Sequence, residues 1–173
     1  MQTDEALATR VAQGDELALR ELLRRYERSL ANFLHRQTGG RDVEDLYQET
    51  WLRVVRHAER FDATRRFSTW LFQIAINLCR DWHRRRPPEP HPPDEEPAAA
   101  ELERSEAALD AQQLLGRLPE AQREVVVLRY YHDLSEEDVA NILGIPVGTV
   151  KSRMHQAIAR LGALVRSEAR AAS

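Results

Sequence analysis

The sequence lacks both the cysteines that would build a disulfide framework and the long apolar run that would span a membrane. Cys79 is the only cysteine, so the chain cannot form an internal disulfide. No run approaches the roughly 18 consecutive apolar residues of a membrane-spanning helix. Residues 1–5 are acidic and do not form a basic and then apolar leader, so no secretory signal is predicted. These absences favour a protein of a reducing cytoplasm.

The patterns that accompany catalysis and metal binding are also missing. The sequence shows no Gly-rich phosphate loop, no Ser/His/Asp series and no paired buried carboxylates. Cys79 and His83 lie four positions apart on one predicted helix, which would place two metal ligands together. Two ligands do not make a site, and the other histidines are scattered. We therefore predict no enzymatic activity, no cofactor and no metal.

The net charge of −3 conceals an uneven distribution along the chain. Residues 1–86 carry 16 basic and 13 acidic side chains, whereas residues 87–118 carry 2 and 8. Residues 147–173 carry 5 basic side chains and 1 acidic one. Because local patches decide contact with a polyanion, the two basic regions are compatible with nucleic-acid binding in spite of the net charge.

The acidic middle of the chain also contains six prolines, all between residues 87 and 97. Proline removes a backbone donor and fixes φ, so neither a helix nor a sheet is expected there. We predict a flexible, acidic, Pro-rich linker over residues 87–101, between a domain at residues 1–86 and another at residues 102–173. Both halves show helical spacing and no strand-like alternation, so the predicted fold is all-α with two small helical domains.

Caps and apolar spacing outline the helices of the first half. A stripe from Leu19 to Leu34 predicts a helix that Gly39 and Gly40 end. Asp42 is predicted to cap a helix reaching about residue 60, and Ser68 to cap another reaching about residue 86. The apolar positions assigned to these two helices are Leu46, Val54 and Val55 in the first, and Leu71, Ile74, Ala75, Leu78 and Trp82 in the second.

The second half contains the most specific pattern. After predicted helices at about 102–116 and 119–132, Ser135 and Asp138 are spaced as a near capping box, Gly144 ends the short helix, and Pro146 suits the first turn of the next. This is a helix-turn-helix, which presents the start of its second helix to a major groove. That helix has an apolar side formed by Val150, Met154, Ala157, Ile158 and Leu161. The candidate DNA contacts are Thr149, Lys151, Ser152, Arg153, His155 and Gln156. The alternative is an ordinary αα-hairpin with a solvated polar face.

Two further surfaces are predicted in the first half. On the helix at 42–60, Asp45, Gln48, Glu49 and Leu52 fall on one stripe, which suits docking on a basic helical partner, although a solvated acidic face is the alternative. On the helix at 68–86, the face opposite the core carries Trp70, Gln73, Asn77, Arg80, Asp81 and Arg84. Aromatic and amide groups beside arginines suit single-stranded bases and their backbone. The alternative for Trp70 is simple packing.

These motifs together resemble those of bacterial sigma factors. Residues 134–161 resemble the promoter-binding C-terminal domain, and Pro-Val-Gly-Thr-Val-Lys-Ser-Arg at 146–153 is the form typical of the extracytoplasmic-function (ECF) group of the sigma-70 family. Residues 45–52 resemble the polymerase-binding helix of sigma domain 2. Residues 67–77, followed by Asp81 and the arginines at 84–86, resemble its reader of the −10 promoter element.

The resemblance implies a bacterial, cytoplasmic sigma factor that brings core RNA polymerase to promoters and helps to open the −10 element. Its implied partners are promoter DNA, the coiled coil of the largest polymerase subunit, the polymerase flap region and an anti-sigma factor, with the acidic linker running toward the RNA channel. The implied polymerase contacts are Asp45, Leu46, Gln48, Glu49 and Leu52. The implied −10 contacts are Phe61, Asp62, Thr64, Arg65, Arg66, Trp70, Gln73, Asn77, Arg80 and Arg84, of which the loop at 61–66 and Asn77 would accept an extruded base.

One position departs from the family pattern, and two other functions remain open. The family often has Arg where this chain has Gln156, so a cationic contact to the −35 element is not expected from this position, and a different site preference is open. The first alternative function is a stand-alone helix-turn-helix regulator that dimerises and acts without polymerase. The second is a helical adaptor that binds only protein. Such an adaptor would not show the salt-sensitive promoter binding that is expected of a complex between a sigma factor and polymerase.

Overall fold

The computed structural model describes residues 2–86 and 106–171, and these form two compact units. We call them the N-terminal unit (residues 2–86) and the C-terminal unit (residues 106–171). In both described ranges every regular element is helical, which confirms the all-α prediction. The Pro-rich linker predicted at 87–101 lies outside the described residues.

The N-terminal unit consists of four helices and one short 3-10 turn. They are α1 (Asp4–Ala12), α2 (Glu16–Thr38), α3 (Val43–His57), the 3-10 turn Ala58–Arg60 and α4 (Phe67–Arg85). Asp15 caps α2, because its Oδ1 accepts hydrogen bonds from the N–H groups of Leu17 and Ala18 at 2.9 and 3.1 Å. Gly39 ends α2 at φ +69°, as the paired glycines predicted.

Helix α4 contacts α1, α2 and α3. Of the stripe that its spacing predicted, Leu71, Ala75 and Leu78 are buried, whereas Ile74 and Trp82 are only half-buried. Phe72, Ile76 and Cys79 are buried in addition. Helix α3 has a single buried stripe that runs through Leu46 and Val54. Val55, which was assigned to the apolar positions of this helix, lies beside that stripe and is 46% exposed.

The two caps predicted for α3 and α4 are replaced by contacts from distant parts of the chain. Asp42 does precede α3, but at φ +50° and without a capping bond. Its Oδ2 instead accepts a hydrogen bond from Trp82 Nε1 at 2.8 Å and pairs with Arg86. Ser68 lies inside α4, and the N–H of Phe67 at the start of that helix donates to Glu5 Oε1 at 3.0 Å.

The C-terminal unit also has four helices, one of which continues into a π-helical turn. They are α5 (Glu106–Gly116), α6 (Glu120–Val126) with the π-helical turn Val127–Tyr131, α7 (Glu136–Leu143) and α8 (Val147–Ala171). Residues from α6, α7 and α8 form its core, among them Val125, Leu128, Val139, Ile142, Val150 and Ala157. Ile158, which belongs to the apolar side predicted for the last helix, is 51% exposed.

Candidate nucleic-acid interface

Local hydrogen bonds shape the start of α7 and the turn that joins α7 to α8. Ser135 Oγ accepts from the N–H of Asp138 at 3.0 Å, and Asp138 Oδ2 accepts from the N–H of Ser135 at 3.3 Å, so the predicted capping box is confirmed. Gly144 ends α7 at φ +67°, a conformation that favours glycine. The carbonyl of Pro146, just before α8, accepts from the N–H of Val150 at 3.2 Å. Both helices of the predicted pair are thus present, with the start of α8 at the surface.

The candidate DNA contacts on α8 lie outside the core, and we call them the recognition face (Thr149, Lys151, Ser152, Arg153, His155 and Gln156). Ser152, His155 and Gln156 are exposed and follow one stripe at 0, +3 and +4, while Thr149 and Arg153 are half-buried at its edge. Val150 and Ala157, on the opposite side of the helix, are buried. The structure therefore separates a polar face from an apolar one, as helix-turn-helix readers require.

Lys151, on the recognition face, has a charged partner among the residues that the structure describes. Its Nζ lies 3.6 Å from Glu136 Oε2, at the start of α7. Both side chains are largely exposed, and such surface pairs contribute little stability. A phosphate approaching this end of the face would compete with Glu136 for the ammonium group.

In the N-terminal unit, the loop at residues 61–66, which we call the reader loop, joins α4 through an aromatic cluster. The ring centroids of Phe61 and Trp70 are 5.1 Å apart, and those of Phe61 and Phe67 are 5.8 Å apart. Phe67 is fully buried, whereas Phe61 and Trp70 are half-buried. Trp70 thus packs on one side, as the alternative interpretation held, and also keeps a surface exposed.

The reader loop has an internal turn centred on Asp62. Asp62 Oδ1 accepts from the N–H of Thr64 at 2.9 Å and from its hydroxyl at 2.7 Å. These two hydrogen bonds, chiefly the one from the Thr64 hydroxyl, hold the pKa of Asp62 below its ordinary value of 3.8. Asp62, Thr64, Arg65 and Arg66 are all exposed. The loop therefore presents two guanidinium groups beside an ordered carboxylate.

The outer stripe of α4 continues from the aromatic cluster. Trp70 is followed at +3, +7 and +14 by Gln73, Asn77 and Arg84, with Arg80 beside them. Asn77 and Arg84 are exposed, and Arg84 also pairs with Asp81 one turn earlier. All ten residues predicted to contact the −10 strand are at least partly accessible. Through Trp70, the reader loop and the α4 stripe form one surface.

The acidic stripe of α3, which we call the docking stripe (Asp45, Gln48, Glu49 and Leu52), is also at the surface. Asp45 and Gln48 are exposed and Leu52 is 56% exposed, while Glu49 Oε1 accepts from Arg53 Nε at 2.9 Å. Leu46, predicted as a polymerase contact, is only 7% exposed, because it belongs to the buried stripe of α3. Little of Leu46 is therefore accessible, and its contact with polymerase stays a prediction. Val55, three positions after Leu52, extends the exposed apolar end instead.

Cys79 and His83 lie in different surroundings on α4. Cys79 is buried, and His83 Nε2 lies 3.0 Å from the carbonyl oxygen of Gln37. Among residues 2–86 and 106–171, no group of three or more potential ligands is close enough to hold a metal ion.

A feature that the sequence patterns did not indicate is an apolar cavity of about 440 Å³ in the C-terminal unit. It lies between α5, the π-helical turn and α8, and its lining includes Leu114, Val126, Tyr130, Tyr131 and Ile158. The π-helical turn changes the register of the side chains that follow α6, so regular helical spacing does not predict that Tyr130 is 69% exposed.

Comparison with known proteins identifies the family of the chain that carries these surfaces. The family model of sigma-70 region 2 matches residues 22–87, and that of sigma-70 region 4 matches residues 108–161. The ECF RNA polymerase sigma-E factor of Haemophilus influenzae is 34% identical, with 90% of this chain and 91% of that protein covered. The ECF RNA polymerase sigma factor SigW of Bacillus subtilis is 33% identical, with 84% and 88% covered.

Solved structures agree with this family. CnrH, in complex with the cytosolic domain of CnrY, matches with a TM-score of 0.77 and 31% identity over 96% of this chain and 99% of that chain. The sigma factor RpoE of Bartonella quintana, in complex with the anti-sigma factor NepR, matches with a TM-score of 0.67 and 25% identity over 85% and 96%.

The chain therefore belongs to the ECF RNA polymerase sigma factors of the sigma-70 family. It is a sigma factor that directs core RNA polymerase to promoter DNA when transcription begins, and its family acts as initiation factors and not as enzymes. Within the described residues, no helix is long and apolar enough to cross a membrane.

Proposed function

We propose that three separate surfaces carry this function: the docking stripe binds the largest polymerase subunit, the reader loop with the α4 stripe binds the melted −10 strand, and the recognition face binds the −35 duplex. The observation that supports this proposal best is the contrast between two exposed stripes of the N-terminal unit. One is acidic with an apolar end, and the other combines aromatic, amide and arginine side chains. Their chemistry suits two different partners.

The docking stripe suits a basic helical surface such as a coiled coil. Asp45 supplies an exposed carboxylate, and Leu52 and Val55 supply exposed apolar area at the other end of the same stretch. A polar rim beside an apolar contact is the usual composition of a protein interface. By the same chemistry, opposite charges across the interface favour the correct partner and speed association.

The α4 surface suits single-stranded bases, whereas the recognition face suits a duplex. A half-exposed Trp70 offers a ring on which a base can stack, and Asn77 offers an amide that can pair with a base edge. On α8, hydroxyl, amide and guanidinium groups follow a helix that a major groove accommodates. The two domains would hold the two promoter elements, and the catalytic step belongs to the polymerase.

Regulation by an anti-sigma factor in the bacterial cytoplasm is part of the same proposal. The RpoE structure from Bartonella quintana contains such a partner, and this chain resembles that RpoE over most of its length. Since the family acts through polymerase, the stand-alone regulator is the less favoured function.

The proposal is tested by the dependence of promoter binding on core polymerase. The free protein should protect promoter DNA weakly, and the holoenzyme should give a specific footprint over both elements, because core polymerase fixes the two readers at promoter spacing. Asp45→Arg with Glu49→Arg should abolish co-purification with core polymerase. Glu27→Arg, an exposed acidic residue on α2, is the matched control and should assemble normally. Tight footprints from the free protein, or normal assembly of the double variant, would contradict the proposal.

A further inference from the structure

The reader loop is supported at both of its ends by helix α1. This helix packs against the 3-10 turn Ala58–Arg60, which precedes the loop, and against α4, which follows it. Leu7, Ala8 and Val11 bury the inner side of α1. Helix α1 lies before residues 22–87, the segment that the region 2 family model matches. The support therefore comes from a part of the chain outside that model.

A carboxylate of α1 makes the direct connection to α4. Arg66, the residue that precedes α4, forms no side-chain capping bond. Glu5 Oε1 fills this role from 62 positions away, accepting the N–H of Phe67 at 3.0 Å. A carboxylate is favoured there both as a hydrogen-bond acceptor and as a negative charge at a helix N-terminus. The bond fixes the residue at which the reader loop becomes helix.

Helix α1 is itself held firmly enough to transmit this constraint. Asp4, next to Glu5, pairs with Arg25 at 2.6 Å and accepts a hydrogen bond from the Tyr26 hydroxyl. The Tyr26 ring then meets the Phe67 ring edge-on, with centroids 5.4 Å apart. Phe67 is thus held at its backbone by Glu5 and at its ring by Tyr26, while its other ring contacts include Phe61 and Trp70.

We propose that Glu5 is a positioning residue for −10 recognition, which holds the Phe67 backbone so that the reader loop and Trp70 keep the geometry that accepts a base. This inference depends on the proposed assignment of the reader loop to the −10 strand. Glu5 acts through Phe67 and is not expected to touch DNA. Its loss should therefore reduce the discrimination between bases more than the overall affinity for DNA.

The test uses holoenzyme reconstituted with the full chain. Binding is measured to a labelled single-stranded oligonucleotide carrying the −10 sequence that wild-type holoenzyme selects from a random pool, and to the same oligonucleotide with its most strongly selected base replaced. The ratio of the two affinities measures discrimination. Glu5→Gln keeps the side-chain length and a hydrogen-bond acceptor but loses the charge. Glu5→Asp keeps the charge but is one methylene shorter, and Glu5→Ala removes the acceptor and the charge. Glu16→Ala, which removes an exposed carboxylate from the first turn of α2, is the matched control.

We expect Glu5→Ala to lower the ratio by roughly fivefold, the effect of losing one hydrogen bond. Glu5→Asp should lower it to a similar extent, Glu5→Gln should retain most of it, and Glu16→Ala should match the wild type. Affinity for core polymerase should be unchanged in all four. Tryptophan fluorescence confirms that each variant is folded, and Glu5→Asp and Glu5→Gln still provide the comparison if Glu5→Ala does not fold.

Three results would overturn the inference. The first is a ratio that stays at the wild-type value in Glu5→Asp and Glu5→Ala. The second is an equal loss of affinity for both oligonucleotides, which indicates structural support alone. The third is a ratio that falls as far in Glu5→Gln as in Glu5→Ala, which indicates a charge effect alone. Arg65→Ala and Asn77→Ala are measured in parallel. If these two variants lose discrimination and the Glu5 variants do not, only the role of Glu5 fails. If they also keep it, the proposed −10 surface fails, and the role of Glu5 fails with it.

Discussion

The two domains hold their DNA-facing residues by contacts of very different range. In the C-terminal unit, Ser135 and Asp138 cap the start of α7, and the turn before α8 is closed by the N–H of Ile145, which donates to the carbonyl of Ala140 at 3.1 Å. In the N-terminal unit, the ends of α4 are fixed by Glu5 and Asp42, which lie 62 and 40 positions from their partners Phe67 and Trp82. One reader is therefore determined locally, and the other depends on the assembled domain.

This difference has consequences for how each reader fails. A local capping interaction can be weakened by one substitution while the rest of the unit keeps its packing. A reader that depends on several helices loses its geometry when any helix that supports it shifts. We therefore expect core substitutions in the N-terminal unit to change −10 recognition strongly, and cap substitutions in the C-terminal unit to have smaller and more localised effects.

The largest expected effect comes from Phe67→Ala. This fully buried ring joins Tyr26, Phe61 and Trp70, so its removal should lower the free energy of unfolding of the N-terminal unit by about 3–5 kcal/mol. Opening of the −10 element should be lost with it. All three tryptophans lie in residues 2–86, so urea unfolding followed by tryptophan fluorescence measures this unit selectively.

Ile142→Ala, at a core position of the C-terminal unit, is the reciprocal control. It should destabilise α7 and α8, as measured by amide hydrogen exchange, and leave the tryptophan transition in place. If Phe67→Ala left the tryptophan transition and −10 opening unchanged, the contrast between the two domains would be wrong.

The same contrast explains how much could be predicted from the sequence. The capping box and the turn at Gly144 were predictable, because their partners lie within one helical turn. The caps at Asp42 and Ser68 were not, because Asp42 contacts Trp82 and Arg86 instead of the start of α3, and Glu5 caps α4 in place of Ser68. The spacing also did not distinguish Leu46, which is buried, from Val55, which is exposed, because apolar character alone does not tell which side of α3 the neighbouring helices cover. The ten −10 contacts and the recognition face remain predictions that require DNA to test.

The next largest effect is expected on the recognition face. Arg153→Ala should weaken −35 binding by about 1–3 kcal/mol and relax one position of the site if the guanidinium contacts a base. A phosphate contact would instead weaken all sequences almost equally and lower the salt dependence. Lys151→Ala should have a smaller effect, because Glu136 already competes for this ammonium group. Initiation from a promoter library randomised at the −35 element measures both variants.

Arg170→Ala, at the far end of α8, serves as the control for the loss of one positive charge from that helix. If Arg153→Ala, Lys151→Ala and Arg170→Ala all gave the wild-type profile, the recognition face would not read the promoter.

Gln156→Arg is the converse change, at the position where this chain departs from its family. The side chain is exposed on the recognition face, so an arginine there should reach the groove and shift one preferred −35 base toward guanine, whose O6 and N7 match a guanidinium. The same promoter library measures the shift. An increase in affinity that is equal for all sequences would show that this position lies beyond the base edges.

A smaller effect is expected when the local cap itself is removed. Ser135→Ala should destabilise α7 by about 1 kcal/mol, because the N–H of Asp138 loses its acceptor. Amide hydrogen exchange in α7 should become faster, while the tryptophan transition of the N-terminal unit stays the same. Ser167→Ala, on the exposed part of α8, removes a hydroxyl without a capping role and should have almost no effect. Equal exchange rates in α7 for both variants would show that the capping box does not stabilise this helix.

The smallest expected effect is a difference in acid sensitivity between the units. Among the described residues, the carboxyl groups whose pKa is lowered are Asp15, Glu21 and Asp62, all in the N-terminal unit. Hydrogen bonds from Arg24 and then Arg25 lower the pKa of Glu21 from 4.5 to about 2. Between these two values the unfolded chain binds a proton that the folded chain does not, so the stabilisation is complete above pH 4.5 and is lost as the pH falls toward 2. The urea midpoint of the tryptophan signal should therefore decrease over this window, by a modest amount because Glu21 is solvated. Glu21→Gln cannot titrate and should flatten the decrease, whereas Glu16→Gln should leave it unchanged. Equal slopes in both variants would mean that the Glu21 pairs do not distinguish the folded from the unfolded chain.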